Sequence, residues 1–363
     1  MCGIIGAASS RNVGKLLVQG LHKMEYRGYD SAGIALHQKD NIFNLRTLGK
    51  VSLLEDEMIE QRPKSKLGIA HTRWATHGKP SKKNAHPHES GEVNIVHNGI
   101  IENYLELKEK LIQAGYTFES ETDSEVIAHL LHQHFQSKGD LLAAMHEAIK
   151  ELDGAFAIAA IHIKDKNRLV VARNKSPLLI GVGLEENFAA SDPLALSQLT
   201  SEFVFLEDGD IAEITKESYQ VFDEKNSPVT RDVTQIDITV NAVTKGDYSH
   251  FMEKEIYEQP TALANTIDGK LGDDDVLDNI FGLGSSDVFS RIKRIQFVAC
   301  GTSLHAGKVG RFWFEKIAQI PCYVDFASEY RYRDPLVEEG TLFVTISQSG
   351  ETADTLAALR YAQ

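Results

Sequence analysis

The chain opens with Cys2-Gly3-Ile4-Ile5-Gly6-Ala7-Ala8, a run of small and apolar residues directly after the initiator methionine. A run of this kind predicts a buried β-strand that begins at the amino terminus. Apolar residues then recur at helical spacing at positions 16, 17, 21 and 24. The sequence therefore predicts a core strand followed by an amphipathic helix.

Strand and helix patterns continue over the first 240 residues. Runs typical of strands occur at 67–70, 93–96, 155–163, 169–172 and 203–206, and amphipathic helices fit 104–114, 124–134 and 141–151. Strands in groups and helices in pairs indicate an α+β layered sandwich. We predict one domain over 1–240, followed over 241–290 by a linker and an interdomain helix, which begins near Met252 and which Pro260 would end or kink.

The pattern changes after Arg291. Strands are predicted at 295–299, 322–326 and 342–346, with helices at 303–317 and 350–362. Alternation of strands and helices is typical of parallel βαβ units. We therefore expect residues 291–363 to form part of an α/β parallel-sheet domain.

The composition argues against several classes of protein. The 363 residues are 42% hydrophobic and 25% charged, and the formal net charge is -14. A negative charge of this size repels nucleic acids and anionic membrane surfaces. Three widely spaced cysteines do not suggest a disulfide framework, and the sequence has neither a secretory signal pattern nor an apolar run of about 20 residues. We expect a cytoplasmic protein without nucleic-acid or membrane partners.

Cys2 combines two groups that could react together. Removal of Met1 would give this cysteine a free α-amine beside its thiol. A thiol with a pKa of about 8.5 is mostly protonated at neutral pH, whereas an α-amine with a pKa of about 7.7 to 8.0 is partly neutral and can accept the thiol proton. The sequence thus predicts a nucleophile that needs no histidine base. The alternative is a small cysteine buried in a core strand.

Other segments supply groups that suit an amino-acid amide. Arg73 follows the predicted strand 67–70 and could bind a carboxylate through two parallel hydrogen bonds. Asp123 could bind an ammonium group. Asn98-Gly99 could donate hydrogen bonds to the oxyanion that forms when the amide carbon is attacked. Together these groups predict a site for glutamine.

Each of these segments also has a structural alternative. Asp123 or Ser124 could cap the following helix, and Asn98-Gly99 could form a turn. The glycine-flanked segment 25–33 is charged and aromatic, so we expect it to be a poor core element and a wall of the site.

Several histidines raise the question of a metal site. They are His71, His77, His86, His88 and His97. The sequence has no HExxH pattern and no paired cysteine and histidine spacing, and Cys300 and Cys322 fall in the other predicted domain. We predict hydrogen-bonding loop histidines, no metal ion and no cofactor.

These segments resemble the glutaminase domain of the class II amidotransferases, which are N-terminal-nucleophile hydrolases. The resemblance rests on residues 2–6, 26–33, 71–78, 97–103 and 121–125. It implies a four-layer αββα fold in which Cys2 forms a glutamyl thioester and Asn98 and Gly99 form the oxyanion hole. The residues implied to hold or border the bound glutamine are Arg73, Trp74, Thr76, His77, Asp123 and Arg27. Trp74 is also implied to gate an internal channel for ammonia.

Two loops in the second predicted domain suit a phosphate group. Residues 297–303 and 345–352 each combine a strand, a glycine turn and a helix start. A helix amino terminus presents unpaired N–H groups and the positive end of the helix dipole, which favour an anion. Two such loops at the carboxyl ends of neighbouring parallel strands would form one crevice. The alternative is that Ser303, Ser349 and Thr352 only cap helices.

Both loops resemble the phosphosugar-binding signature of the sugar isomerase (SIS) domain, which implies a flavodoxin-like parallel sheet. The residues implied to hold the phosphate are Thr302, Ser303, Ser347, Gln348, Ser349 and Thr352. The two domains together imply a homodimer that transfers ammonia from glutamine to fructose 6-phosphate, giving glucosamine 6-phosphate. The implied isomerase acid and base residues lie beyond Gln363, within a longer family pattern. We therefore expect glutamine hydrolysis but little or no sugar product.

Three other functions are alternatives. Amidotransferases with the same cysteine-first domain can carry a pyrophosphate-binding transferase or an adenylating domain in place of these loops, but the sequence has no such motif. A sugar-phosphate sensor without catalysis would not depend on Cys2. A stand-alone glutaminase could use the SIS segment only as a dimerisation platform.

Overall fold

The computed structural model of the protein describes residues 2–74, 78–236, 248–267, 270, 276, 281, 285–348, 350 and 352–363. The chain divides into two compact units, Met1–Gly246 and Asp247–Gln363. Part of the predicted linker over 241–290 lies outside the described ranges. Within these ranges, no helix is long and apolar enough to span a membrane.

The first unit combines short strands with amphipathic helices. The strands that the structure describes there are β1 (Gly3–Ser9), β2 (Ser31–His37), β3 (Ile42–Leu48), β4 (Leu67–Arg73), β5 (His88–Ser90), β6 (Val93–Ile101), β7 (Gly154–His162), β8 (Leu169–Asn174), β9 (Leu179–Val182), β10 (Glu186–Ala190), β11 (Glu202–Phe205), β12 (Ile211–Ile214), β13 (Tyr219–Phe222), β14 (Pro228–Val229) and β15 (Val233–Gln235). The described helices are α1 (Gly14–Met24), α2 (Val51–Gln61), α3 (Tyr104–Gln113), α4 (Glu125–Lys138) and α5 (Leu141–Ile149).

These strands form two antiparallel sheets. Among the described residues, the first sheet has the order β15-β11-β9-β10-β1-β4-β2-β3 and the second the order β14-β13-β12-β8-β7-β6-β5. The sheets pack face to face through an apolar core that includes Ile4 and Ile69 from one sheet and Val96 and Ala159 from the other. Helices α1 and α2 cover the outer face of the first sheet, and α3, α4 and α5 cover that of the second. The predicted four-layer αββα fold is confirmed.

Strand β1 lies between β10 and β4, inside the first sheet. All of its residues are buried, because Ile4 and Ala8 pack in the core between the sheets while Ile5 and Ala7 pack with α1. A strand covered on both faces appears in a sequence as a continuous apolar run, which explains why β1 could be predicted. Its position brings Cys2 to the end of an internal strand.

The expectation that segment 25–33 is a poor core element is wrong for its last three residues. Glu25–Arg27 forms a 3-10 turn, but residues 31–33 belong to β2 and are buried. Small side chains explain this burial, because a Cβ atom at Gly33 would lie 2.1 Å from the His86 carbonyl oxygen. The charged residues before Ser31 gave no indication of a buried strand.

The second unit contains a parallel sheet. Its described strands are β16 (Arg294–Ala299), β17 (Cys322–Phe326) and β18 (Thr341–Ile346), and its described helices are α6 (Phe251–Ile267), α7 (Ser285–Phe289), α8 (Gly301–Trp313), α9 (Ala327–Tyr330) and α10 (Ala353–Ala362). The strand order is β17-β16-β18, with both pairs parallel. This order matches the start of a flavodoxin-like sheet, and the predicted α/β parallel sheet is confirmed.

Some helix boundaries in this unit differ from the prediction. Pro260 lies inside α6 and does not end it, because a proline removes one backbone hydrogen bond while the remaining turns persist. Helix α8 ends at Trp313, and a π-helical turn over Phe314–Ala318 follows. Helix α10 begins at Ala353, since Gly350 has a φ of 68° that a right-handed helix excludes.

Candidate active site

The pairing of β1 with β4 holds Cys2 beside Trp74. Gly3 pairs with Thr72, so the residue before β1 meets the residues after β4. The Trp74 backbone N–H donates to the Cys2 sulfur over 3.1 Å, and the thiol lies 3.4 Å from the Trp74 carbonyl oxygen. Burial raises the pKa of the Cys2 thiol, although the Trp74 backbone and Arg73 oppose this shift. The thiol is therefore protonated at neutral pH and needs a base before it can attack.

Asn98 reaches Cys2 from the opposite sheet. It lies in β6, and its Nδ2 donates to the Cys2 carbonyl oxygen over 3.2 Å. Its Oδ1 lies 2.9 Å from Nε2 of His71, which belongs to β4. The Asn98 carboxamide thus bridges the two sheets and presents a donor next to Cys2.

Gly99 continues β6 with a backbone that favours glycine. Its φ is 134°, and a Cβ atom there would lie 1.9 Å from the Ala155 carbonyl oxygen. Asn98 pairs with Ala157 and Gly99 with Phe156 of β7, so the alternative of a turn at Asn98-Gly99 is wrong. Hydrogen bonding to β7 extends β6 to Ile101, beyond the apolar run 93–96 from which the strand was predicted.

Arg73 and Asp123 supply buried groups of opposite charge. Arg73 Nη1 lies 3.6 Å from Asp30 Oδ1, and Nη2 donates to the Gly78 carbonyl oxygen over 3.2 Å. Asp123 Oδ2 accepts from the Ile101 backbone N–H over 2.8 Å, which ties the segment before α4 to β6. A guanidinium suits a carboxylate ligand, and a carboxylate suits an ammonium ligand.

Ser124 does not act as a helix cap. It occupies the N-cap position of α4 but makes no capping hydrogen bond through its side chain. Its Oγ lies 2.8 Å from His97 Nδ1, which links the start of α4 to β6. The capping alternative is therefore wrong for Ser124.

Five of the residues predicted for catalysis and glutamine binding line one cavity. Its lining includes Cys2 before β1, Arg73 and Trp74 at the end of β4, Gly99 in β6 and Asp123 before α4. The other described lining residues are His86, His97, Thr122 and Ser124. A thiol, a guanidinium and a carboxylate from separate parts of the sequence therefore share one small space.

Other residues predicted for the glutamine site lie in different settings. Arg27 Nη1 donates to the Ser191 carbonyl oxygen and to Asp192 Oδ2, both over 3.4 Å, and Arg27 is absent from the described lining of the cavity. Trp74 is 54% exposed, and its ring covers Gly28, where a Cβ atom would lie 2.3 Å from the ring. Outside the described residues lie Thr76 and His77.

The expectation of loop histidines is wrong for three of them. His71 lies in β4, His88 in β5 and His97 in β6, and all three are buried. Burial lowers the pKa of His71 and that of His88 to about 3. A neutral imidazole tolerates burial when a polar partner is available, and amide or hydroxyl side chains supply these partners. Among the described residues, no group of three His, Cys, Asp or Glu is placed to hold a metal ion.

Sequence reasoning missed three residues around this cavity. Ser191 Oγ accepts from the Ile4 backbone N–H over 3.0 Å and fixes the start of β1. Asp30 lies beside Arg73, and His71 lies beside the oxyanion-hole candidate. The charge of Asp30 beside a glycine turn was a usable signal. No local signal identifies Ser191, because its partner is 187 positions away.

The predicted phosphate loops of the second unit follow neighbouring strands. β16 pairs in parallel with β18, so the residues after these strands lie at the same edge of the sheet. Helices α8 and α10 start directly after the two loops, at Gly301 and Ala353. Two helix amino termini therefore stand at one edge, an arrangement that favours an anion.

The predicted phosphate-binding residues lie in these loops and first turns. Thr302 and Ser303 lie in the first turn of α8, past its N-cap position, so Ser303 does not cap the helix. Thr352 is the N-cap of α10 but makes no capping bond through its side chain, and its Oγ1 lies 3.2 Å from Ser347 Oγ. Gln348 lies in the described part of the second loop, whereas Ser349 lies outside the described residues.

Comparison with known proteins finds two domain families in this sequence. Residues 71–198 match the family described as glutamine amidotransferase domain, and residues 288–363 match the SIS domain. Glutamine–fructose-6-phosphate aminotransferase (isomerizing) from Pseudomonas putida is 53% identical over 365 residues, which cover 100% of this chain and 60% of that protein. The protein of the same name from Idiomarina loihiensis is 52% identical over 99% of this chain and 59% of its own length. The chain thus spans about three fifths of these relatives.

Solved structures support the fold. Glutamine phosphoribosylpyrophosphate amidotransferase from Bacillus subtilis, complexed with ADP and GMP, has a TM-score of 0.53 and 20% identity over 96% of this chain and 69% of that one. At this identity the similarity concerns the fold alone. The choice of substrate depends on the residues of each site.

Proposed function

The chain belongs to the same family as these glutamine–fructose-6-phosphate aminotransferases, and from this premise we propose that Cys2 hydrolyses glutamine. The ammonia released would aminate fructose 6-phosphate to glucosamine 6-phosphate once isomerase acid and base residues are also supplied, so glutamine hydrolysis is the half of the reaction that we expect from residues 1–363. The observation that carries the proposal is the convergence of Cys2, Arg73, Gly99 and Asp123 on one cavity. These residues come from separate segments, and each supplies a group that glutamine hydrolysis needs.

The proposed reaction begins with a proton transfer at Cys2. Removal of Met1 gives Cys2 a free α-amine, which accepts the thiol proton directly or through one water. Burial raises the thiol pKa, so little thiolate forms without this base. The thiolate then attacks the side-chain amide carbon of glutamine and forms a carbon–sulfur bond.

Asn98 Nδ2 and the Gly99 N–H are the proposed donors to the resulting oxyanion. A donor aimed at such an oxygen is worth about 10²- to 10³-fold in rate. When the intermediate collapses, the carbon–nitrogen bond breaks and the leaving nitrogen takes the proton held by the α-amine. Ammonia departs and a glutamyl thioester stays on Cys2.

Water completes the proposed cycle. The α-amine accepts a proton from water as the water oxygen attacks the thioester carbon, and the carbon–sulfur bond then breaks. The Cys2 sulfur regains its proton from the protonated α-amine of Cys2. Glutamate leaves, and Cys2 returns to its starting state with one water consumed.

We propose that Arg73 binds the glutamine α-carboxylate and that Asp123 binds its α-ammonium group. Asp30 supports this assignment because it lies 3.6 Å from Arg73 Nη1 and holds the guanidinium in place. The further residues proposed to border the glutamine site are Arg27, Trp74, Thr76 and His77. Trp74 is the proposed gate for ammonia.

For the sugar phosphate, we propose the edge of the parallel sheet in the second unit. Two helix amino termini at that edge favour an anion, and hydroxyl groups there can add donors. The proposed phosphate ligands are Thr302, Ser303, Ser347, Gln348, Ser349 and Thr352. The homodimer, the cytoplasmic location and the domain limits at residues 240 and 290 stay predictions.

Turnover of glutamine by the purified protein and by its Cys2→Ala variant tests the proposal. We expect glutamate and ammonia in equal amounts from the wild type and none above background from the variant. A matched control, Cys322→Ala, removes a buried cysteine of the second unit and should leave turnover unchanged. Equal turnover in Cys2→Ala and wild type would contradict the proposed nucleophile and favour a non-catalytic sensor.

A further inference from the structure

His71 contacts the amide that we propose as an oxyanion donor. It is fully buried in β4, and its Nε2 lies 2.9 Å from Asn98 Oδ1 on the facing sheet. The other end of the same amide, Nδ2, donates to the Cys2 carbonyl oxygen over 3.2 Å. The Asn98 carboxamide is therefore held at both ends.

The chemistry of these partners determines where the hydrogens lie. A carbonyl oxygen only accepts, so the Asn98 NH₂ group faces Cys2 and Oδ1 faces His71. His71 Nε2 must then donate, which leaves its Nδ1 without a proton. Burial lowers the pKa of His71 to about 3, so the ring is neutral and carries this single proton throughout the neutral pH range.

We infer that His71 is a positioning residue, whose Nε2–H holds the Asn98 carboxamide with its NH₂ group toward the reacting carbon. The inference rests on the proposed glutaminase function. An amide nitrogen and an amide oxygen are nearly equal in size, so packing alone does not choose between the two orientations. A flipped amide would place Oδ1 beside the oxyanion and against the Cys2 carbonyl oxygen, where the oxygens repel one another. The Cys2 carbonyl oxygen and the donor on His71 together select the other orientation.

Amide variants of His71 separate positioning from packing. The amide nitrogen of glutamine reaches the position of imidazole Nε2, whereas that of asparagine corresponds to Nδ1. We expect His71→Gln to keep the glutaminase kcat within about threefold, and His71→Asn and His71→Leu to lower it roughly 10- to 100-fold, which is less than the loss of an entire oxyanion donor. The KM for glutamine should stay within about twofold, because the proposed carboxylate and ammonium partners are unchanged.

Two further measurements control for stability. His162→Leu removes another fully buried imidazole, at the end of β7 and outside the described lining of the cavity, and should leave kcat unchanged. In an Asn98→Ala background, His71→Leu should cost almost nothing more in kcat, because a residue that acts through Asn98 has nothing left to position. A packing role would predict additive losses instead.

The outcomes distinguish this inference from the function on which it rests. Equal kcat in His71→Gln and His71→Asn, or additive losses in the double variant, would overturn the inference while wild-type turnover upholds the proposed function. Absence of turnover in the wild type would overturn both. If His71→Leu does not fold, the comparison of the two amide variants still decides the result.

Discussion

At Cys2, burial has two opposite effects on the proposed chemistry. It raises the pKa of the thiol, which disfavours the thiolate at neutral pH. Cys2 is also only partly exposed to solvent, and reduced contact with water strengthens hydrogen bonds to a developing oxyanion. The α-amine resolves the conflict because it accepts the thiol proton and so supplies the thiolate that attacks glutamine. A cysteine at any other position of the chain would lack this base.

Gly99 is the residue whose replacement we expect to be most costly to β6. Gly99→Ala would place a Cβ atom 1.9 Å from the Ala155 carbonyl oxygen at a φ of 134°. We expect the free energy of unfolding of the first unit to fall by about 3 kcal/mol or more, because backbone strain and a clash with backbone add. Glutaminase turnover should fall with it, since the β6–β7 ladder holds Asn98.

Gly115→Ala is a matched control for this substitution. Gly115 has a φ of 94°, but a Cβ atom there meets nothing within 4 Å. We expect a loss of about 1 kcal/mol from strain alone and unchanged turnover. Urea unfolding of both variants provides the comparison, and equal losses would contradict the role assigned to the clash.

At the scale of elements, Glu125 anchors the start of α4 beside the cavity. Its carboxylate accepts from the backbone N–H groups of Glu119 and Ser120 over 2.8 Å and 2.7 Å. Burial alone would raise its pKa, but the His129 imidazole at 3.6 Å and hydrogen bonds from Glu119 and Ser120 outweigh that effect and lower it to about 2. The segment that carries Asp123 is thereby fixed between this anchor and β6.

The lowered pKa of Glu125 predicts how stability depends on pH. Its ionised form stabilises the fold fully above the usual carboxyl pKa of 4.5, and this contribution is lost as the pH falls toward 2. We expect Glu125→Gln to reduce the stability around α4 by about 2 kcal/mol at pH 7 and by roughly half of that at pH 3. Hydrogen exchange of the α4 amides measures the loss of stability at both pH values. Glu106→Gln, at an exposed pair with Lys110, should change little at either pH.

The elements that could be predicted from the sequence are strands that are buried on both faces and helices that are amphipathic. β1, β6 and β7 appear as apolar runs, and α3 to α5 show helical periodicity. Short or polar strands were not predicted from the sequence, among them β5 over His88–Ser90 and the start of β2, which consists of small residues. Their position is set by pairing with distant strands, which periodicity within a segment does not reveal.

The same division applies to the candidate site. Residues with an obvious charge or donor, such as Arg73 and Asp123, could be proposed from their chemistry. The contacts that orient the site, from His71 to Asn98 and from Ser191 to Ile4, depend on packing between segments far apart in the sequence. These partners could be identified only from the fold.

At the scale of the whole molecule, the two units carry separate chemistry. The first holds Cys2 and the other described residues that line its cavity, and the second holds two helix amino termini at one sheet edge. A formal net charge of -14 disfavours anions in general, so a sugar phosphate needs specific donors. The proposed loops supply such donors.

Thermal unfolding with and without sugar phosphate tests the second unit. Fructose 6-phosphate should raise the unfolding temperature of that unit, because a ligand bound only to the folded state stabilises it by about 2.7 kcal/mol at 100 times its Kd. Fructose without phosphate serves as the control and should give no shift. Equal effects of the two sugars, or no effect of either, would contradict the proposed phosphate site and favour a dimerisation platform.

The central claim is that Cys2, freed from Met1, carries a glutamyl group during turnover. Intact-mass spectrometry of the protein, quenched rapidly during reaction with glutamine, measures both features at once. We predict a species that has lost Met1 and gained one glutamyl group on Cys2, and that is absent from Cys2→Ala. Glutamine turnover by a protein that retains Met1, or an adduct that persists in Cys2→Ala, would contradict the account.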